Sequence, residues 1–299
     1  MKFDKDKIKN ILKFVWVITI IFFVLYYFYK NYHVLIKAFE ILTIDKIFLS
    51  FIFILVAKIL LAINMKIILK KYNIIVSFKK AFAIYNKTQL AKYIPGSIWQ
   101  FVGRAGIMKK LGINNRTIRD TLFTEIIWIL TSSFFIGSLI LLIYYYSIII
   151  VFLSRHFLLI SLAFLILLLV CILLIYLLRN TIKSIILKIK KLVPSFLSLL
   201  ILLIIWILLA SSFWVLINTF STNNISWLYC LGVYCLAYAI GFIIPFAPAG
   251  LGVRESILVL GFSSFLELPT LVLLVSINRI IYFITEIIVF LPIINEKVY

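Results

Sequence analysis

The chain has 299 residues, of which 65% are hydrophobic and 13% are charged, and its formal net charge is +20 at pH 7. Soluble proteins average roughly 45–50% apolar and about 25% charged residues, so this composition excludes a water-soluble globular domain. Lipid admits only helices or closed barrels, and the apolar runs here are continuous rather than alternating. The composition therefore predicts an all-α, polytopic membrane helix bundle.

Seven apolar runs of about 20 residues are long enough to cross roughly 30 Å of hydrocarbon as helices. In chain order they cover residues 11–29, 47–69, 121–146, 157–178, 196–218, 227–246 and 270–292. The first run has no small-residue cleavage site, so we expect a retained helix and not a signal peptide. Two segments, 77–103 and 256–266, are too short or too polar to span and are interpreted as re-entrant or interfacial. We therefore predict seven or eight transmembrane helices in a single integral membrane domain, residues 1–299.

Basic residues cluster in three regions that the predicted spans place on one face of the membrane. Five lie in residues 1–13, eleven in 70–119 and five in 179–191. The positive-inside rule makes that face cytoplasmic, so we expect a cell-membrane protein with a cytoplasmic N-terminus. Topology and attraction to anionic headgroups account for the net charge. Membrane lipids are therefore the expected partners, and nucleic acid is not.

A motif that contains proline and arginine occurs twice, 150 residues apart. The sequence reads IPGSIWQFVGRAG at 94–106 and IPFAPAGLGVRES at 244–256, and in each case an Arg follows the Pro by nine residues. Downstream of each motif, the dipeptide Asn-Arg precedes the tetrapeptide Thr-Glu-Ile-Ile. The recurrence of this ordered set predicts an internal repeat with halves at about 77–146 and 227–292.

The prolines and glycines of the two motifs are unable to continue a helix. The predicted helix breaks are Pro95, Pro245 and Pro248, and the glycines beside them are Gly96, Gly250 and Gly252. Broken backbone at membrane depth survives only where it is buried in protein or lines a wet cavity, and matching interrupted helices mark transporter binding sites. Backbone N–H groups at the start of a helix have no intrahelical acceptor and carry a partial positive charge, so they bind anions. The glycines are therefore candidates for binding a lipid phosphate.

Arg104 and Arg254 lie just after the two breaks. A guanidinium in such a position can hold a phosphate through paired hydrogen bonds. We predict that both arginines bind a lipid headgroup. The alternative is that each is a snorkelling residue or an ion-pair partner of a nearby carboxylate, Glu125 or Glu255.

Charged residues inside apolar runs are a second signal of a polar interior. Glu286 and Arg279 lie seven residues apart in the last run and share a helix face. A charge at the bilayer centre costs about 2.5–3.5 kcal/mol even on the lenient insertion scale, so these residues require partners or a polar cavity. We predict that Glu125, Glu255, Arg279 and Glu286 line a polar pathway, with structural ion pairing as the alternative. Lys58, in the second run, is a weaker candidate for the same cavity.

The stretches KYIPGSIWQFVGRAG and IPFAPAGLGVRES resemble the flippase-like membrane domain of lysylphosphatidylglycerol synthases. The resemblance covers nearly the whole chain, and residues 248–255 are its most specific part. It implies a polytopic membrane protein that moves, or helps to move, a lipid across the bilayer. The aminoacyl-transferase domain of the bifunctional members does not follow here, so we expect no synthase activity.

The function predicted from the sequence is translocation, or assisted translocation, of a phospholipid or a polyprenyl-linked glycolipid, without enzymatic activity. No cofactor, catalytic residue or metal site is expected, and the sequence has no GxxxxGK[ST] loop for ATP. One alternative is an integral membrane glycosyltransferase, although the non-cytoplasmic loops offer only Glu40 and Asp45 as acids. Another is a non-transporting partner of a lipid- or glycan-modifying enzyme.

Overall fold

A computed structural model of the chain describes residues 29, 32–94, 98–147, 192–221, 224–244 and 247–295. The predicted runs 11–29 (apart from its last residue) and 157–178 lie outside the described residues, as do Pro95, Gly96 and Pro245. All regular secondary structure in the described ranges is helical. The predicted fold class, an all-α polytopic membrane helix bundle, is confirmed.

The α-helices of the described residues are numbered α1 to α9 in chain order. They are α1 (Tyr32–Ile41), α2 (Ile44–Lys71), α3 (Phe78–Asn86), α4 (Trp99–Lys110), α5 (Asn115–Tyr144), α6 (Phe196–Asn218), α7 (Trp227–Ile243), α8 (Val253–Phe262) and α9 (Leu268–Phe290). Short 3₁₀ turns occupy Gln89–Tyr93, Pro248–Gly250 and Leu291–Ile293. The start of α5 is capped by Asn114, whose Oδ1 accepts from the amide of Thr117 at 2.8 Å. Such a cap satisfies an amide that a helix start leaves without an intrahelical acceptor.

Four helices are long and apolar enough to cross a membrane. They are Ile44–Lys71, Asn115–Tyr144, Phe196–Asn218 and Leu268–Ile293, and they match the predicted runs 47–69, 121–146, 196–218 and 270–292. The predicted run 227–246 forms the shorter α7, which has 17 residues and ends at Ile243, just before the second motif. Of the two segments predicted to be too short or too polar to span, 77–103 contains α3 and the start of α4, and 256–266 contains the second part of α8.

The long helices expose large apolar side chains on their outer faces. Phe134 and Phe135 on α5 are 55% and 67% exposed, and Phe196 on α6 is 76% exposed. Large contiguous apolar surfaces are rare on soluble monomers but are expected where the surrounding solvent is lipid. The outer surface therefore agrees with a membrane bundle.

Two helix pairs form the centre of the bundle: α2 packs along α6, and α5 packs along α7. At the crossing of α5 and α7 the backbones approach closely, because a Cβ added to Gly137 would lie only 2.9 Å from the carbonyl oxygen of Gly232. Between α5 and α6, Nε1 of Trp206 donates to Oγ of Ser132 at 2.9 Å. Small residues and interhelical hydrogen bonds of this kind hold membrane helices together, since lipid gives no hydrophobic drive for their association.

The two motifs adopt the same order of elements within the described residues. In both regions a 3₁₀ turn precedes a short helix that carries the arginine, α4 or α8, and a long helix that carries the Thr-Glu pair follows, α5 or α9. The first turn lies just before its motif, whereas the second lies within its motif. The turns Gln89–Tyr93 and Pro248–Gly250 contact each other. The fold therefore brings the two motifs together, whereas their origin by duplication stays a prediction.

Candidate functional site

A cavity of about 280 Å³ lies where the two motifs meet. Its wall is built from α3, α4, α5, α7, α8, α9 and the two turns that contact each other. The polar side chains that line it are Gln89, Lys92, Gln100, Glu125, Arg254 and Arg279, and the tyrosines are Tyr85, Tyr238 and Tyr282. Residues from the two distant parts of the sequence thus share one cavity, in which polar side chains lie in a largely apolar wall.

Arg104, on α4, forms a buried ion pair with Glu125, on α5. Nη1 of Arg104 donates to Oε1 of Glu125, and Nε donates to the hydroxyl of Thr88 at 3.2 Å. The guanidinium also lies 4.6 Å from the ring centroid of Tyr85. This geometry is the ion pairing that we considered as the alternative to phosphate binding by Arg104. Of the two partners, Glu125 is the one that contributes to the cavity wall.

Glu286, on α9, is bonded to two lysines from different parts of the chain. Its Oε1 accepts from Nζ of Lys58, on α2, and from Nζ of Lys92, in the first turn. Nζ of Lys58 also donates to the hydroxyl of Tyr282 at 2.9 Å. All of these charges are buried, and an unpaired buried ion costs several kcal/mol. Lys92 therefore ties the first motif to the helix that follows the second motif.

Arg254, on α8, is 6% exposed and is surrounded by tyrosine rings. Its Cζ lies 4.5 Å from the ring centroid of Tyr234, 5.4 Å from that of Tyr238 and 5.8 Å from that of Tyr282. A desolvated cation over aromatic faces gains about 2 kcal/mol or more. Among the described residues, no carboxylate lies within 4.0 Å of its guanidinium nitrogens. Arg254 thus lines the cavity with its charge held by rings and not by an acid.

Arg279 and Glu255 hold the second turn in place. Nη2 of Arg279 donates to the carbonyl of Ala249 at 2.6 Å, and Nε lies 3.5 Å from Oε1 of Glu255. Oε2 of Glu255 accepts from the amide of Gly252 at 2.7 Å, while the amide of Gly250 donates at 2.9 Å to the carbonyl three residues before it. Both glycine amides therefore have an acceptor inside the loop, and phosphate binding by them stays a prediction.

The backbone of this loop explains its glycines. Gly250 has φ +73° and Gly252 has φ +83°, a region in which side chains with a Cβ are strained. Pro248 begins the 3₁₀ turn. Gly241, on α7, packs against α8 so closely that an added Cβ would lie 3.1 Å from Cβ of Arg254. These close contacts fix the position of Arg254 beside the cavity.

Basic side chains outnumber carboxylates around the cavity when the lining residues are taken together with their ion-pair partners. The basic ones are Lys58, Lys92, Arg104, Arg254 and Arg279, and the carboxylates are Glu125, Glu255 and Glu286. In a low-dielectric interior such an imbalance favours binding of an anion.

The described members of the predicted set all lie in or next to this site. They are Arg104, Glu125, Pro248, Gly250, Gly252, Arg254, Glu255, Arg279 and Glu286. Whether they bind lipid or form a pathway stays a prediction, and Pro95, Gly96 and Pro245 lie outside the described residues.

Sequence reasoning missed four residues of the site and ranked a fifth too low. The missed residues are Gln89, Lys92, Gln100 and Gly241, and the one ranked too low is Lys58. A usable signal existed for three of them. Lys92 lies two residues before the first motif, and Gln89 and Gln100 lie on either side of its proline, close to the predicted helix break. No such signal marked Gly241, whose importance depends on how α7 and α8 pack.

Comparison with known proteins assigns this chain to no group. No protein-family model matches the chain, and no curated protein matches it significantly. The chemistry of the cavity is therefore the basis for a function.

Proposed function

We propose that this protein binds the phosphate of a membrane-lipid headgroup in the cavity and translocates that lipid, or assists its translocation, across the cell membrane. The lipid is a phospholipid or a polyprenyl-linked lipid, and its chains remain in the bilayer while the headgroup passes through the bundle. The N-terminus lies on the cytoplasmic side. The protein acts as a transporter and not as an enzyme.

The observation that carries this proposal is the environment of Arg254. A buried guanidinium needs acceptors for its five N–H groups, and tyrosine faces stabilise the charge without accepting those hydrogen bonds in the guanidinium plane. Among the described residues no side chain or carbonyl accepts from Arg254. Two phosphate oxygens match the guanidinium fork and form paired hydrogen bonds with it. Arg254 therefore provides the principal headgroup contact.

Three further side chains complete the headgroup site. Gln89 and Gln100 are buried at the cavity wall, where their amides supply donors and acceptors for the remaining headgroup oxygens. Lys92 also lines the cavity while it is bonded to Glu286. A phosphate that approaches Lys92 competes with Glu286 for the ammonium, which loosens the link between the two motifs. This competition supports a rocking of the motifs that opens the site to alternate sides.

The resemblance described above supports the same proposal. We propose that the chain is a flippase-like domain of the kind found in lysylphosphatidylglycerol synthases. The most specific part of that resemblance, residues 248–255, contains Ala249, Gly250 and Arg254, which line the cavity. The sequence has no P-loop, so translocation would be downhill or coupled to an ion gradient.

A translocation assay with reconstituted protein tests this function. The purified chain is incorporated into vesicles that contain phosphatidylglycerol labelled with a fluorophore, and dithionite quenching reports the fraction of label that reaches the outer leaflet over time. We expect the wild-type protein to raise the rate above that of protein-free vesicles. Arg254→Ala should lower the protein-dependent rate by about tenfold or more, because a hydrogen bond to a charged group contributes about 1.5–3 kcal/mol.

The matched control is Arg116→Ala, which removes an exposed arginine on α5 that has no recorded partner among the described residues. It should leave the rate unchanged. Arg254→Lys keeps the positive charge but loses the paired N–H donors of the guanidinium, so it should retain part of the activity. Absence of wild-type activity with every anionic lipid tried would rule out translocation by this chain, and an unaltered rate in Arg254→Ala would remove Arg254 from the mechanism.

A further inference from the structure

We infer that the cavity selects lipids whose headgroup phosphate carries about two or more negative charges, that is, a phosphomonoester or a diphosphate attached directly to the lipid. This inference rests on the proposed function and names the substrate class of the same site. It makes a phosphodiester lipid such as phosphatidylglycerol a weaker ligand, and a headgroup with an added ammonium the weakest.

The ion pairs around the cavity assign a basic partner to each carboxylate. Glu125 is bonded to Arg104, and Glu255 lies 3.5 Å from Arg279. The third carboxylate, Glu286, is shared by two lysines through the same oxygen, Oε1. No carboxylate of the described residues is left to neutralise anything else at the site.

Two basic groups remain in excess after this pairing. One is Arg254, whose guanidinium lies over tyrosine rings and has no carboxylate of the described residues within 4.0 Å. The other is a lysine of the pair formed by Lys58 and Lys92, because one carboxylate serves both. Lys92 and Arg254 both line the cavity, so the excess lies on the wall that a ligand touches.

A phosphomonoester matches this excess better than a phosphodiester does. It carries about −1.5 to −2 charges at pH 7, whereas a phosphodiester carries one. Its three free oxygens can bond to the Arg254 fork and to the Lys92 ammonium at the same time. Coulomb interactions are also several-fold stronger in a protein interior than in water, so each unmatched charge has a large effect on affinity.

The size of the cavity points to the same class. Pockets for drug-sized ligands span about 300–1,000 Å³, and this cavity measures about 280 Å³. A phosphate or a diphosphate fits within such a volume, whereas an oligosaccharide attached to the phosphate would have to remain outside it. A lysyl group would bring a cation toward Lys92 and Arg254, where like charges repel each other.

The test is equilibrium binding to the full chain in detergent at pH 7.5, measured by calorimetry with short-chain lipids. The probes are dioctanoyl phosphatidic acid, dioctanoyl phosphatidylglycerol, its lysyl ester, inorganic phosphate and inorganic diphosphate. We expect phosphatidic acid to bind at least tenfold more tightly than phosphatidylglycerol, and the lysyl ester to bind most weakly. Inorganic phosphate should bind more weakly than phosphatidic acid, because it lacks the lipid chains.

Variants separate charge selection from a general loss of folding. Arg254→Gln should bring the ratio of phosphatidic acid affinity to phosphatidylglycerol affinity toward one, whereas Arg116→Gln should preserve the ratio. If Arg254→Gln fails to fold, Arg254→Lys serves instead, since it keeps one charge and should keep part of the preference. A ratio that stays at its wild-type value in the folded Arg254 variants overturns the assignment of selectivity to this residue.

Two binding outcomes overturn the inference, and only the first of them leaves the proposed function intact. Equal affinity for phosphatidic acid and phosphatidylglycerol means that the second charge is not recognised, even if both lipids are translocated in vesicles. If inorganic phosphate binds as tightly as phosphatidic acid, the lipid chains contribute nothing to binding, and the site is one for a soluble anion. Conversely, failure of every anionic lipid to move in the vesicle assay removes the proposed function, whatever the calorimetric ratio.

Discussion

The regions around Arg104 and Arg254 have the same sequence context but different electrostatics. Each arginine follows a proline by nine residues and lies on a short helix beside the cavity. Arg104 is bonded to Glu125 and is 0% exposed, whereas Arg254 lies among tyrosine rings without a carboxylate partner in the described part of the chain. The first arginine is therefore neutralised by a buried carboxylate, whereas the second lines the cavity without one and is the candidate contact for a ligand.

The difference arises from where the following glutamate lies. Glu125 follows Arg104 by 21 residues and pairs with it, but Glu286 follows Arg254 by 32 residues and pairs with Lys58 and Lys92 instead. A shift in the position of one acid thus changes an arginine from a structural ion-pair partner into a candidate ligand contact. Similar motifs therefore do not imply similar roles for their arginines.

The largest predicted effect is the loss of stability when the ion pair between Arg104 and Glu125 is broken. Arg104→Ala leaves Glu125 buried without its cation, so we expect the protein to lose about 3–5 kcal/mol of stability. Thermal unfolding of the purified protein in detergent, together with the yield of monodisperse protein, measures this loss.

The double variant Arg104→Ala with Glu125→Ala is the control for this prediction. Because neither charge then remains buried without a partner, it should be less destabilised than Arg104→Ala alone. A single variant as stable as the wild type, or a double variant that is worse by the sum of the two single losses, would contradict a structural ion pair at this position.

The second predicted effect is a smaller loss of stability when Arg254, which has no carboxylate partner among the described residues, is replaced. Arg254→Ala removes the contacts with the tyrosine rings but leaves no acid unpaired, so we expect a loss of about 1–2 kcal/mol. The same unfolding measurement checks it, and the comparison with Arg104→Ala is decisive. A loss for Arg254→Ala equal to that for Arg104→Ala would mean that Arg254 has a structural partner and no spare binding capacity.

The sequence predicted the helical elements of this site better than it predicted the pairing of their charges. The composition and the length of the apolar runs determine the helices, and the four long described ones match their predicted runs closely. Proline and glycine also marked the second turn, Pro248–Gly250, because they are unable to continue a helix, whereas the first turn, Gln89–Tyr93, contains neither residue. Partners such as Lys58 and Lys92 for Glu286 come from segments 228 and 194 residues away, respectively, and no local pattern encodes such a contact.

Packing contacts between backbones are equally hard to read from the sequence. Gly241 looks like any small residue in an apolar helix, yet it allows α7 to lie directly against Cβ of Arg254. Nothing in the sequence distinguishes Tyr234 and Tyr238 from the other tyrosines, yet the fold places their rings near the guanidinium of Arg254. Aromatic residues make up 16% of the chain, so their type alone could not identify the ones at the site.

The smallest predicted effect tests whether close packing positions Arg254. In Gly241→Ala the new Cβ would lie 3.1 Å from Cβ of Arg254, so α8 has to move by a few tenths of an ångström. We expect a net loss of about 1 kcal/mol of stability, since overpacking costs about 1–3 kcal/mol and the higher helix propensity of alanine offsets part of that cost.

The matched control is Gly106→Ala on α4, where an added Cβ meets nothing within 4 Å. That variant should be neutral or up to about 1 kcal/mol more stable. If the two variants unfold at the same temperature, the contact between α7 and α8 is not tight enough to hold Arg254. If only Gly241→Ala lowers both stability and affinity for anionic lipid, the position of this arginine depends on the glycine beside it.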